Sequence, residues 1–331
     1  MSKILGTYVN GNTIVVMRED GTKERYIRDG ENPAPEFPES IDLKVTNCCD
    51  MGCEFCAESS TPDGKHADLM DKTLLETIHP YTELAIGGGN PLEHPDLCWF
   101  LGCMKRRNVI CNLTVNVNHF MRDDVQSKLH LLTDAKLIHG LGISITDTIP
   151  DGFFDKVKNY QNAVIHTIAG YTPISTFYDL CDRNLNLLIL GYKDKGRGKE
   201  YLDGWYSLLV EVKLAVLKNN IRDFRSKFKA VAFDNLAVKQ LNIQEELSKD
   251  EFDRLYMGYD GEYTMYIDLV TRKYGKSSTH PLRSIDSADV SKLFRSLQPC
   301  CENCGNHTDT DIDGLLYCID HNYRKVGEND A

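Results

Sequence analysis

Thr46-Asn47-Cys48-Cys49-Asp50-Met51-Gly52-Cys53-Glu54-Phe55-Cys56 decides how this chain is read. Cys49, Cys53 and Cys56 stand in the spacing C-x3-C-x2-C, with an aromatic residue just before the last. Thiolates hold iron–sulfur clusters, and spacers of three and two residues let one short loop fold three of them around a [4Fe–4S] cube. The loop offers no fourth ligand, which leaves one iron open to an exogenous one. Two other readings use the same residues. Zinc is the chemical rival, but zinc knuckles usually come as two C-x2-C halves, and no second half lies nearby. Inert buried thiols are the other.

A second segment follows downstream, Ala85-Ile86-Gly87-Gly88-Gly89-Asn90-Pro91. Leu84-Ala85-Ile86 reads as a short buried strand, and the glycines come at its C-terminal end. Glycines there let the backbone approach a ligand closely and present N–H and C=O groups to it. Alone, the segment equally reads as a glycine-rich turn before a helix.

Together the two segments resemble the cluster loop and the GGEP segment of the radical S-adenosylmethionine (SAM) superfamily. Only Cys49, not Cys48, gives the family spacing. In the second segment Gly88, Gly89 and Pro91 match, and Asn90 stands where Glu is usual. Asn keeps a carbonyl acceptor and loses the charge, so its contact to an ammonium is expected to weaken. The resemblance covers roughly residues 40–235. It implies a [4Fe–4S] cluster on Cys49, Cys53 and Cys56, with SAM chelated at the open iron and its amino group received by Gly88, Gly89 and Asn90. It further implies Ser144 and Thr146 near the ribose, and Lys193 with Gly196-Arg197-Gly198 against the adenine and methionine parts. Phe55 is placed to shield the cluster. The activity implied is reductive cleavage of SAM to a 5′-deoxyadenosyl radical, with electrons from a carrier such as flavodoxin or ferredoxin. Asn116 and His166, at other strand ends, are further rim candidates.

The organisation agrees with that chemistry. Ile4–Val9, Thr13–Met17 and Lys23–Ile27 read as a β-meander, with turns at Asn10-Gly11 and Asp20-Gly21. The proline-rich Asn32–Pro38 breaks regular structure. Strands then alternate with helices: strands at Ile41–Val45, Glu83–Ile86, Ile110–Val115, Leu137–Ile145, Ala163–Ile168, Leu185–Leu190 and Ala230–Phe233, and helices at Asp71–Ile78, Pro95–Arg107 and Leu202–Lys218. Such alternation predicts βαβ units around a parallel sheet. The fold class expected is α/β, a partial or near-complete (β/α) barrel of the radical SAM type. Its active site is expected at the C-terminal strand ends, where both segments fall. Residues 1–38 form the N-terminal extension, 39–248 the core barrel, and 249–331 a small Cys-containing C-terminal extension with a hairpin near Tyr263–Ser277.

That extension holds Cys301-x2-Cys304-x13-Cys318-x2-His321. The spacing fits a Cys₃His zinc ribbon; an auxiliary Fe–S cluster drawing on Cys300, Cys301, Cys304 and Cys318 is the alternative. Cys48, Cys98, Cys103, Cys111 and Cys181 are expected to be small core residues. Twelve cysteines in 331 residues, with no apolar leader, argue for metal chemistry in a reducing cytoplasm rather than a disulfide scaffold. No run approaches the ~20 apolar residues that span a bilayer. A net charge of −11 points away from a long nucleic acid. Two local basic stretches, Lys193–Lys199 and Lys218–Lys229, keep nucleotide or nucleic-acid modification open beside peptide or protein modification. Asn90 raises a third reading, an Fe–S/SAM-binding regulator without catalysis.

Overall fold

The computed structural model describes residues 2–28 and 32–298, together with the backbone of three strands, His307–Thr310, Leu316–Cys318 and Tyr323–Lys325. The chain divides into two compact units, Met1–Asp42, Asp71–Glu83 and Gly258–Ala331 in one, Leu43–Met70 and Leu84–Met257 in the other.

In the first unit, β1 (Ile4–Asn10), β2 (Thr13–Arg18) and β3 (Lys23–Tyr26) form an antiparallel meander. Asn10 pairs with Thr13, and Gly11 turns the chain at φ +59°. The sheet buries Tyr8 and Val15 with Phe37, Tyr81 packing beside them. His79 stacks on Phe37 with ring centroids 3.7 Å apart. Glu39, its carboxylate fully buried, takes Arg25 at 2.8 Å, and Arg25 also lies over the Tyr263 ring.

In the second unit the strands are β4 (Ser40–Thr46), β5 (Glu83–Gly88), β6 (Ile110–Asn116), β7 (Gly140–Ser144), β8 (Ala163–Ile168), β9 (Asn186–Leu190) and β10 (Ala230–Phe233). They lie side by side in the order β10-β9-β8-β7-β6-β5-β4. From β6 to β10 every pairing is parallel, with Asn116 opposite Ser144, Ser144 opposite His166, and His166 opposite Leu188. From β4 to β9 each strand has one buried face, as with Leu113 and Val115 or Ile165 and Thr167, whereas β10 at the edge has none. The other face, Thr114, Asn116, Ser144 and His166 among it, lines a cavity. Helices fill the connections. Leu97–Arg106 packs on β6 through a buried face of Leu97, Phe100, Leu101 and Met104. Ile174–Leu180 packs on the long helix Ser207–Lys227, where Phe177 stacks on Phe224.

Three boundaries differ from expectation. The helix expected at Asp71–Ile78 is a single turn, Lys72–Leu75. Pro80 follows His79 and disfavours helical backbone just before it. The strand expected from Leu137 starts only at Gly140, because Lys136 adopts φ +51° and Leu137 N–H closes on Leu132 C=O, ending the preceding helix. The helix expected to stop at Lys218 runs to Lys227, with no Gly or Pro to break it.

In the C-terminal stretch β11 (Thr264–Asp268) and β12 (Lys273–Gly275) form the expected hairpin, joined by β13 (Arg283–Ser284). The three terminal strands, β14 (His307–Thr310), β15 (Leu316–Cys318) and β16 (Tyr323–Lys325), pair antiparallel. Among the described residues no helix is long and apolar enough to cross a membrane.

Candidate active site

The cavity, about 260 Å³, sits at the C-terminal ends of β5 to β9 and under the loop that leaves β4. Cys49, Cys53 and Cys56 line it together with Gly87, Gly88 and Gly89. The loop is short and pinned. Cys49 N–H donates to Thr61 C=O at 2.9 Å, and Cys56 N–H closes a turn on Cys53 C=O at 3.2 Å. Asp50 accepts from the buried His119 at 2.5 Å, and that bond holds its carboxyl below the usual carboxylate range. From the far end of the sheet Arg197 reaches in. Its Nε donates to Cys53 C=O at 2.8 Å, its Nη1 to Ser60 C=O at 3.0 Å, and its backbone N–H to Cys56 C=O at 3.1 Å.

The glycine turn packs on the loop's backbone. Gly89 N–H donates to Thr46 C=O, and Asn90 N–H to Cys48 C=O, both at 2.7 Å. A Cβ at Gly89 would lie 2.3 Å from the Cys48 carbonyl oxygen, and one at Gly88, where φ is +112°, 2.3 Å from that of Thr46. A side chain there has no room. Gly87 faces open space, and a Cβ there would meet nothing within 4 Å.

Against solved structures, the chain superposes on SuiB of Streptococcus suis bound to S-adenosylmethionine with a TM-score of 0.59 at 12% identity, covering 92% of each chain. SuiB bound to its precursor peptide SuiA gives 0.55 at 15% identity, over 82% of this chain and 69% of that one. SuiB alone gives 0.55 at 12% identity over 92% of each. The chain has the radical SAM fold. No protein-family model matches the sequence, and no curated protein does.

Within the radical SAM fold the three thiols are close enough to feel one another. Burial pushes Cys53 up to about 11, and the neighbouring Cys56 and Cys49 add to that; Cys49 is raised as well, again first by burial. Thiols that disfavour one another's charge in a half-buried loop suit a cationic group, which supplies the missing positive charge and takes up the thiolates. Among the described residues no three His, Cys, Asp or Glu side chains close on a single metal ion. Three cysteine thiols from one short loop, facing one cavity, are a donor set that fits an Fe–S cluster. Cys48 stands apart: its Sγ donates to Pro62 C=O at 3.2 Å and does not line the cavity.

The remaining expected residues divide. Ser144, Thr146, Lys193, Asn116, His166 and Phe55 all line the cavity. Phe55 also packs on Tyr171, ring centroids 4.1 Å apart. His166 is uncharged at neutral pH, since burial lowers it to about 4, and the absence of a Cβ on Gly142 makes room for its ring. Asn90 does not line the cavity. It is 2% exposed and caps the short helix Pro91–Glu93, its Oδ1 accepting from Leu92 N–H and its Nδ2 donating to Glu93, both at 3.2 Å. Arg197, expected against SAM, instead grips the Cys loop, with Gly196 and Gly198 clearing the approach to Ala57 and Phe55. Cys111 is a buried core thiol pushed up to about 12. Cys301, Cys304 and His321 lie outside the described residues; Cys318 ends β15, opposite His307 and Tyr323.

Two contributors escaped the sequence reading. Glu58 lines the cavity and accepts from Lys44 at 2.5 Å. Tyr171 donates to Glu54 at 3.0 Å and roofs Phe55. Neither carries a spacing signal; the glycines beside Arg197 were the only local hint of a close approach.

Proposed function

We propose that this chain is a radical SAM enzyme, a (β/α) barrel that binds a [4Fe–4S] cluster through Cys49, Cys53 and Cys56. The observation that carries the reading is the convergence of those three thiols and the Gly87-Gly88-Gly89 turn on one cavity at the strand ends. When bound, the cluster supplies the electron that cleaves SAM to a 5′-deoxyadenosyl radical, chemistry the cofactor brings and the protein positions. The chain's own residues hold and enclose. Arg197 and the Asp50–His119 pair fix the loop, Gly88 and Gly89 bring backbone within contact of a ligand, and Phe55 with Tyr171 covers the thiols. Ile168, Leu190 and Tyr192 make the wall around the ligand apolar, which excludes water from a reactive species. Electrons come from a low-potential carrier such as flavodoxin or ferredoxin in a reducing compartment.

A peptide or protein is the substrate class we favour. SuiB, which shares the fold, is bound to a precursor peptide. The second of the two basic stretches is largely paired within the chain: Lys218 pairs with Glu245, Arg222 with Glu246, Arg225 with Glu251 and Lys227 with Asp182. Anaerobic reconstitution tests the cluster. Wild-type protein is expected to take up about four irons and four sulfides per chain at the loop, and the Cys49→Ala/Cys53→Ala/Cys56→Ala variant to lose that complement. Equal uptake by both proteins would exclude the loop as the site.

A further inference from the structure

We propose that a tyrosine ladder running out of the cavity, with the apolar helix face beyond it, is the docking track for a substrate peptide that is apolar and carries lysine or arginine. The inference deepens the peptide reading above and rests on it. Phe55 and Tyr192 line the cavity. Tyr171 packs on Phe55 with ring centroids 4.1 Å apart, and Tyr201 lies 5.6 Å from Tyr171 and 6.3 Å from Tyr192. Tyr206 then stacks on Tyr201 at 4.3 Å. The ladder thus starts at the cysteine loop and ends on the surface, where Tyr206 is 49% exposed.

Two features of the chain build this track. Leu202–Tyr206 is a π-helical turn. Residues five apart point about 140° apart on a regular α-helix, and the wider turn brings Tyr201 and Tyr206 face to face, their rings 19° from parallel. Such turns are rare and gather at functional sites. The second feature is the helix Ser207–Lys227, whose buried side carries Val210, Leu217, Ile221 and Phe224. A surface helix ordinarily turns a polar face to water, yet Leu208, Leu209, Val212 and Val216 are exposed, Leu208 at 67%. Beyond Val216 the exposed positions become polar, as at Asn219, Arg222, Asp223 and Ser226. The apolar face is therefore confined to the end that adjoins the ladder. Contiguous apolar surface of this kind marks a partner's place, and tyrosines are rigid anchors that meet both the apolar and the polar parts of a peptide.

Charge selects the peptide. Glu54, Glu200, Asp203 and Glu211 are exposed along the track. Against them stand Lys199, also exposed, and Lys213, whose Nζ donates to Tyr171 C=O at 2.5 Å. A surplus of carboxylates beside apolar surface attracts a cationic segment and repels an acidic one. It also disfavours a second copy of this chain, which brings a net charge of −11 and the same carboxylates.

The test uses the reconstituted full-length protein and a phage-displayed library of random dodecapeptides, with the enriched peptides then titrated as labelled synthetic probes by fluorescence polarisation. Enrichment of aromatic and aliphatic residues together with Lys or Arg is expected. Leu208→Asp/Val212→Asp, at exposed positions that leave the core untouched, is expected to weaken these probes by about tenfold or more, the scale of an interface hot spot. Glu200→Lys/Asp203→Lys/Glu211→Lys is expected to weaken them too, with a penalty that shrinks at high salt. Should the first variant fail to fold, Leu208→Ser/Val212→Ser carries the same expectation. Enrichment of acidic peptides, no enrichment over background, or enriched peptides whose affinity neither variant changes overturns the proposal. A wild-type dimer in sedimentation that Leu208→Asp/Val212→Asp dissociates gives the face to a second copy and overturns it as well. Peptide binding at this face by protein that takes up no iron would instead defeat the enzyme reading on which the peptide's role as substrate rests.

Discussion

Arg197→Ala is the perturbation that most directly probes how the cysteine loop is held. The guanidinium contributes two hydrogen bonds to loop carbonyls, to Cys53 at 2.8 Å and to Ser60 at 3.0 Å. Bonds from a charged donor are worth about 1.5–3 kcal/mol each in mutational series. The loop is half-exposed and its carbonyls can turn to water, so the low end applies, about 2–3 kcal/mol for the pair. The backbone bond from Arg197 N–H to Cys56 C=O survives the substitution, which confines the loss to the side chain. That energy belongs to opening of the loop and not to global unfolding. A loop that opens about 30- to 150-fold more often exposes its metal by the same factor. The assay is the rate of iron release from reconstituted protein to a chelator under anaerobic conditions. Arg197→Ala is expected to release iron faster by about that factor, Arg197→Lys to fall between, and both to melt close to wild type. Release at the wild-type rate, from protein loaded to the same iron content, would refute the view that Arg197 clamps the loop.

Further predictions concern other parts of the site. Gly89→Ala drives a methyl into the Cys48 carbonyl and is expected to cost about 1–3 kcal/mol as local overpacking, seen as reduced iron loading and a lower melting temperature, whereas Gly87→Ala, with open space at its Cβ, is expected to behave as wild type. His166 titrates near 4 when folded against about 6.5 in the unfolded chain. Its contribution is therefore complete above pH 6.5 and is lost as pH falls towards 4, up to about 3 kcal/mol by linkage. Calorimetry of the metal-free protein is expected to show a flatter pH dependence over that window for His166→Phe than for wild type, and identical slopes would remove His166 as the cause. Elemental analysis of the triple-cysteine variant reads the tail: retained zinc supports a Cys301, Cys304, Cys318 and His321 site, retained iron an auxiliary cluster, and neither metal leaves the tail without one.

Much of this arrangement is legible in the chain because the informative signals are local. β6 and β8 alternate at period two within themselves, and Cys49, Cys53 and Cys56 fall within one loop, so spacing alone relates them. The strand ends follow from where apolar runs stop, which is why Ser144, His166 and Lys193 could be picked out and prove to share a cavity. What spacing cannot show is who reaches across. Arg197 meets Cys53 over a sequence separation of 144 residues, and nothing near position 53 announces it. Glu58 looks like an ordinary loop carboxylate until Lys44, on the strand before the loop, is seen to hold it. Asn90 teaches a different lesson. Aligned to a motif it reads as a ligand contact, yet Asn followed by Pro is also a helix-start signal, and the backbone of Leu92 claims the side chain. The long helix went the other way: its expected end is Lys218, but Asn220 Nδ2 donates to Val216 C=O and its Oδ1 accepts from Tyr178, and the helix continues to Lys227.

The central claim is that Cys49, Cys53 and Cys56 hold a cluster at which SAM is reductively cleaved, and one measurement meets it head-on. Reconstituted protein is incubated anaerobically with dithionite and SAM, and 5′-deoxyadenosine is quantified beside the Cys49→Ala/Cys53→Ala/Cys56→Ala variant. Formation of 5′-deoxyadenosine by the wild type and none by the variant is the predicted result. No 5′-deoxyadenosine from wild-type protein with its cluster intact, or equal amounts from both proteins, would contradict it.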